Sequence, residues 1–117
     1  MSDFKLYGIP NCDTVKKTKR WFDDKSIAYT FHDFRKDGVD APQISAWLEA
    51  VGADKLVNKR GTTWRKLSDA EKAAAEENPV PILLENPAII KRPVIEGPHG
   101  ISVGFTAKEQ AALEEAL

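Results

Sequence analysis

"FKLYGIPNCDTVKKTKRWFDDKSIAYTFHDF", residues 4–34, decides the fold. Its opening, "FKLYGI" (4–9), is a short apolar run closed by Pro10, which is the pattern of a strand. From Cys12 to about Lys25 the period changes to that of a helix, with Val15, Thr18, Trp21 and Phe22 at spacings of three, three and one. Lys16, Lys17, Lys19 and Arg20 cover the outer face, and Asn11 or Asp13 is placed to cap the start. "AYTFHDF" (28–34) then alternates Tyr29, Phe31 and Asp33 against Thr30, His32 and Phe34, and predicts a second strand. A strand, a helix and a strand in such close succession make a parallel pair with a right-handed crossover.

Outward from this unit, "RKDGVDAPQ" breaks the pattern, and Pro42 fits the first turn of a helix over about 42–51 that uses Ile44, Trp47, Leu48 and Val51. Gly52 can end it. A helical turn at 54–57 leads into "NKRGTTWRKL", followed by a Ser68-capped, alanine-rich helix over 68–77 and a short helix over 79–85. Strands at 93–97 and 101–105, joined by "PHG", read as a hairpin, and Thr106 can cap a closing helix over 107–116. The expected class is α/β. It is a thioredoxin-like four-stranded mixed sheet flanked by helices, with a helical insertion at about 40–90 between the β–α–β unit and the C-terminal hairpin and helix. A chain of 117 residues suits one such domain.

The totals bound the function. Apolar residues make up 42% and charged residues 30%, the balance of a globular protein. No apolar run approaches the roughly 20 residues that span a bilayer, and "MSDFKLYGIP" lacks a signal-peptide pattern, so the cytoplasm is the expected compartment. A net charge of −1 gives no global attraction for nucleic acid or membrane. His32 and His99 lack acidic or histidine companions at ligand spacing, so no metal site is expected.

Cys12 is the only cysteine and cannot form an internal disulfide. Free cysteine is among the most buried residue types, so composition alone favours an inert thiol. Position favours reactivity. Cys12 falls at the first turn after a strand, where unpaired backbone N–H groups and the helix dipole stabilise an anion and lower a thiol pKa. A dithiol enzyme would place a second cysteine three residues on, but Val15 stands there. Any redox cycle must therefore borrow an outside thiol, with glutathione the natural candidate. Arg60, beside Gly61 and the hydroxyls of Thr62 and Thr63, and Arg92, directly before Pro93, are suited to fork-like recognition of anions. For an arginine not yet placed in a fold, the better expectation is a surface residue covering apolar neighbours.

"YGIPNCDTVKK", "KRGTTWRKL", "NPAIIKRPVI" and "GISVGF", in that order, resemble the arsenate reductase (ArsC)/Spx family in its glutathione- and glutaredoxin-linked branch, and its YffB-type subgroup in particular. The resemblance runs nearly end to end. It implies Cys12 as nucleophile, Arg60 and Arg92 as arginines that hold an anion and lower the thiol pKa, and Pro93 as the cis-proline beside the site. Asn11, Asp13 and Thr14 sit in the cysteine loop, whose N–H groups could form an anion nest. It further implies glutathione as co-substrate, glutaredoxin as a possible donor, and no bound cofactor. Three positions depart from the arsenate reductases: Gly8 replaces a histidine, Val15 a serine and Phe105 a late arginine. The expected activity is therefore glutathione-dependent reduction by a single thiol, with arsenate a weaker substrate. The rival expectation is a Spx-like regulator that binds RNA polymerase, although Val15 removes the Cys-x-x-Cys switch usual in Spx proteins.

Overall fold

In the computed structural model, which describes residues 4–34 and 36–116, the elements follow in the order β1 (Phe4–Gly8), α1 (Asp13–Asp24), β2 (Tyr29–Asp33), α2 (Ala41–Val51), α3 (Ala53–Leu56), α4 (Thr62–Arg65), α5 (Asp69–Glu77), α6 (Val80–Glu85), a 3-10 turn (Pro87–Ile89), β3 (Val94–Gly97), β4 (Gly100–Val103) and α7 (Ala107–Glu115). The chain divides into two compact units. One comprises the chain up to Asp37 and from Arg92 onward, and the other is Gly38–Lys91. Among the described residues no helix is long and apolar enough to cross a membrane.

The first unit carries a mixed four-stranded sheet in the order β2-β1-β3-β4. β1 runs parallel to β2, with Leu6 opposite Phe31, and antiparallel to β3, with Leu6 opposite Ile95. Because side chains alternate along a strand, Phe4 and Leu6 share one face of β1. There they join Phe22 of α1, Ile95 of β3, Phe105 and Leu113 of α7 in one core cluster, with Trp21, Ile27, Tyr29 and Phe31 packed against it. Phe4 meets Phe22 edge-on at 5.1 Å and Trp21 meets Phe105 at 5.7 Å. Such pairs add about 0.5–1.5 kcal/mol beyond burial of their area. The buried stripe of α1 is Val15, Thr18 and Phe22, one face at helical spacing. Thr18, wholly buried, satisfies its hydroxyl by donating to the Thr14 carbonyl at 2.7 Å.

The hairpin begins one residue later than its sequence pattern suggests. Pro93 has no N–H to give a ladder, while its carbonyl accepts from the Gly104 N–H at 2.9 Å. Gly97 pairs with Gly100 across Pro98-His99, and Gly100 takes φ +102, which a side chain would oppose. β4 ends at Val103, and Phe105 turns into the core instead of extending the strand.

In the second unit α2 and α5 start with reciprocal capping boxes, Asp40 with Gln43 and Ser68 with Glu71. Ile44, Trp47, Leu56, Leu83, Ile89 and Ile90 are buried. A bridge between Val57 and Ile90, flanked by Asn58 N–H to Ile89 carbonyl at 2.8 Å and Lys91 N–H to Leu56 carbonyl at 2.7 Å, ties the loop after α3 to the segment before β3. "NKRGTTWRKL", given no element from sequence, contains the four-residue helix α4. A single turn holding two β-branched threonines is too short to show a helical period.

Candidate active site

β1 ends at Gly8, and the chain turns through Pro10 and Asn11 into α1. The Cys12 N–H donates to the Ile9 carbonyl at 3.2 Å, and the Cys12 carbonyl accepts the first bond of the helix from Lys16 N–H at 3.0 Å. Cys12, with extended φ −85 and ψ 126, is itself the N-cap residue. The expectation that Asn11 or Asp13 caps α1 is corrected: Asn11 lies exposed one residue too early, and Asp13 is already the first residue of the helix. No side-chain hydrogen bond caps α1, so the N–H groups of its first turn remain able to stabilise an anion beside them.

Burial of the Cys12 thiol pushes its pKa up. The Val15 N–H, the Arg92 side chain and the Thr14 N–H, all bonding to the sulfur, outweigh that, and the charge of Arg92 adds to them. The thiol pKa ends below its ordinary value. The backbone of the second and third residues of α1 therefore favours an anion at the N-cap position, which Cys12 occupies. Arg92 itself is half-buried and precedes buried Pro93 across a cis peptide bond.

Cys12, Arg92, Thr14, Asn11, Asp13 and Pro93 thus all belong to the first unit, and the structure brings Arg92 and the backbone of Thr14 onto the sulfur. Asn11 and Asp13 contribute exposed side chains to the loop. Arg60 belongs to the second unit. It is exposed, its backbone N–H donates to Asn58 Oδ1 at 3.2 Å, and it borders a cleft of about 460 Å³ with Asp54, Asn58, Lys59 and Lys91. Three cations and one carboxylate make that cleft suited to an anion. His32 tilts against the Tyr7 ring at 5.0 Å, and His99 bonds Ser102 at 3.0 Å and stacks on Phe4.

Two residues that matter at the sulfur were not singled out for this role from sequence. Val15 is fully buried, and its backbone N–H helps to lower the Cys12 pKa. Gly8 faces it: a Cβ at Gly8 would lie 2.7 Å from Val15 Cγ2. The available signal was position, since Val15 is the third helical residue after a cysteine at the N-cap.

A thioredoxin-like sheet carrying one pKa-lowered cysteine at a helix N-terminus, with a guanidinium on its sulfur, defines a thiol-chemistry class of protein. The ArsC family matches residues 7–113, and the chain belongs to that family. Among solved structures it is similar to a YffB protein, at 40% identity and a TM-score of 0.85 over 93% of this chain and 96% of that one. It is also similar to an arsenate reductase (ArsC) related protein from Brucella melitensis, at 38% identity and a TM-score of 0.74 over 98% and 96%. The global transcriptional regulator Spx of Staphylococcus saprophyticus is 26% identical over 89% of this chain and 81% of its own.

Proposed function

We propose that the protein is a monothiol reductase that draws its electrons from glutathione. The observation that carries this reading is the single thiol held toward its thiolate form by Arg92 and two backbone N–H groups. The Cys12 thiolate attacks the glutathione sulfur of a mixed disulfide, the substrate leaves as a thiolate that takes up a proton, and glutathione stays bonded to Cys12. The thiolate of a second glutathione attacks the glutathione sulfur of that bond, releasing glutathione disulfide and restoring the Cys12 thiolate. The mixed disulfide and one glutathione thiol thus become the substrate thiol and glutathione disulfide, so one disulfide is exchanged for another and the second glutathione is the reductant. Glutaredoxin can replace the second glutathione. Arg92 stabilises Cys12 as attacking and as leaving group, and Arg60 offers a fork-like contact for a carboxylate.

Glutathione-dependent reduction of a glutathionylated peptide, coupled to glutathione reductase, tests this. The native protein should turn over and Cys12→Ser should not. Mass spectrometry should find glutathione on Cys12 in the native protein. Native turnover equal to that of Cys12→Ser would sink the reading.

Arsenate is the weaker substrate in this reading. Val15 and Phe105 are buried side chains and Gly8 has none, so none of the three offers a group to an oxyanion. The Spx likeness favours a regulator as second reading. Retention of the protein on immobilised RNA polymerase, with no glutathione-dependent turnover, would select it.

A further inference from the structure

The Val15 N–H can serve the sulfur only if the first turn of α1 sits at the right depth against β1. The position of Val15 is set by Gly8. An ideal Cβ on Gly8 would approach Val15 Cγ2 to 2.7 Å, closer than nonbonded carbons come, so the Val15 isopropyl group occupies the space a side chain at position 8 would need. Gly8 keeps an ordinary negative-φ backbone, and what the position requires is space, not conformational freedom.

The strand end cannot retreat. Gly8 pairs with Asp33 of β2, and its carbonyl accepts from the Phe34 N–H at 2.9 Å. The helix turn is also held from within, because Thr18 bonds back to the Thr14 carbonyl and Val15 has no exposed surface. A side chain at position 8 would therefore displace Val15 together with its N–H.

We propose that Gly8 and Val15 form a paired positioning element: the bare Cα of Gly8 seats the Val15 side chain, and this seat fixes the first turn of α1, with its Val15 N–H, beside the N-cap residue Cys12. Neither side chain touches substrate. The inference rests on the reading of Cys12 as a thiolate nucleophile, and it adds a packing contact between β1 and α1 as a determinant of that thiolate.

The test is the pH dependence of iodoacetamide alkylation of Cys12 in the full chain, with melting followed in parallel, for the native protein, Gly8→Ala, Val15→Ala and the double variant. Gly8→Ala should move the apparent pKa of Cys12 upward and slow alkylation below it several-fold, since each unit of rise lowers the thiolate fraction there about tenfold. The double variant replaces the displaced methyl groups with the new one and should return the pKa toward native. Gly8→Ala that melts cooperatively with an unchanged pKa overturns the proposal. Should Gly8→Ala not fold, the comparison runs between Val15→Ala and the double variant. There the added methyl refills the seat, and the double variant should titrate closer to native. A double variant further from native than Val15→Ala overturns the proposal by that route. A native protein that titrates at the ordinary cysteine value instead removes the thiolate reading and the proposal with it, whereas a low native value unmoved at position 8 removes only the proposal.

Discussion

At Cys12 the competition is between burial, which disfavours the thiolate, and donors, which favour it. Two of these donors are backbone groups that no single side-chain replacement deletes, while Arg92 is the one that mutation can remove. Hydrogen bonds to charged groups are worth about 1.5–3 kcal/mol, enough for an order of magnitude in thiolate population. Arg92→Ala should therefore raise the Cys12 pKa and slow alkylation at pH 7 by roughly tenfold. Its stability should fall by no more than about 1 kcal/mol, because Arg92 is only half-buried and lies outside the apolar core cluster. Arg92→Lys should recover part of the charge effect but not the fork-like contact. An unchanged alkylation profile in Arg92→Ala would remove Arg92 from the site.

Among the elements, the reciprocal cap at the start of α5 gives a measurable stability term away from the cysteine. The Glu71 N–H donates to Ser68 Oγ at 3.1 Å, and the Ser68 N–H donates to Glu71 Oε1 at 3.0 Å. Hydrogen bonding from the Ser68 backbone, then from its hydroxyl, holds the Glu71 carboxyl below its usual range. Ser68→Ala should cost about 1 kcal/mol, read as a lower urea midpoint with an unchanged slope, and leave Cys12 alkylation as it was. No loss of stability would show that the cap is not formed. That cap was legible from the sequence because Ser68 precedes a helical run with Glu71 three residues on. The strands and long helices were legible for the same kind of reason, since Val15, Thr18 and Phe22, or Phe4 and Leu6, repeat at the period of their element. α4 and the 3-10 turn at Pro87–Ile89 were not, because one turn carries no period. At the site, the helix N-terminus and the cysteine could be read, while Arg92 was an anion-binding candidate by residue type to which resemblance alone gave a role. The cap was misplaced because sequence rules rank oxygen side chains and give little weight to cysteine, which holds the N-cap position here. Gly8 was invisible as a seat because the 2.7 Å approach exists only once strand and helix are packed.

For the molecule as a whole, these local shifts set how stability depends on pH. Burial lowers the pKa of His99, so the folded state resists its protonation. Cys12 is also shifted down, because the folded state favours the thiolate. A depressed folded pKa means that the unfolded chain binds more protons across the interval between the two values, so stability rises with pH there. The His99 contribution is fully present above its ordinary value near 6.5 and is lost as pH falls through its folded value. The Cys12 contribution is fully present above the unfolded thiol value of about 8.5 and is lost as pH falls through the lowered folded value. Tyr29, raised by burial and then by the charge of Asp23, has the opposite sign, but it acts above its ordinary value of 10. The melting temperature should therefore climb with pH, below about pH 6.5 through His99 and below about pH 8.5 through Cys12. His99→Gln should flatten the rise below about pH 6.5, and Cys12→Ser should flatten the rise below about pH 8.5, each leaving the other in place. Differential scanning calorimetry of the three proteins across this range checks it. A Cys12→Ser slope matching the native slope between neutral pH and pH 8.5 would mean that folding does not stabilise the thiolate, whatever its reactivity.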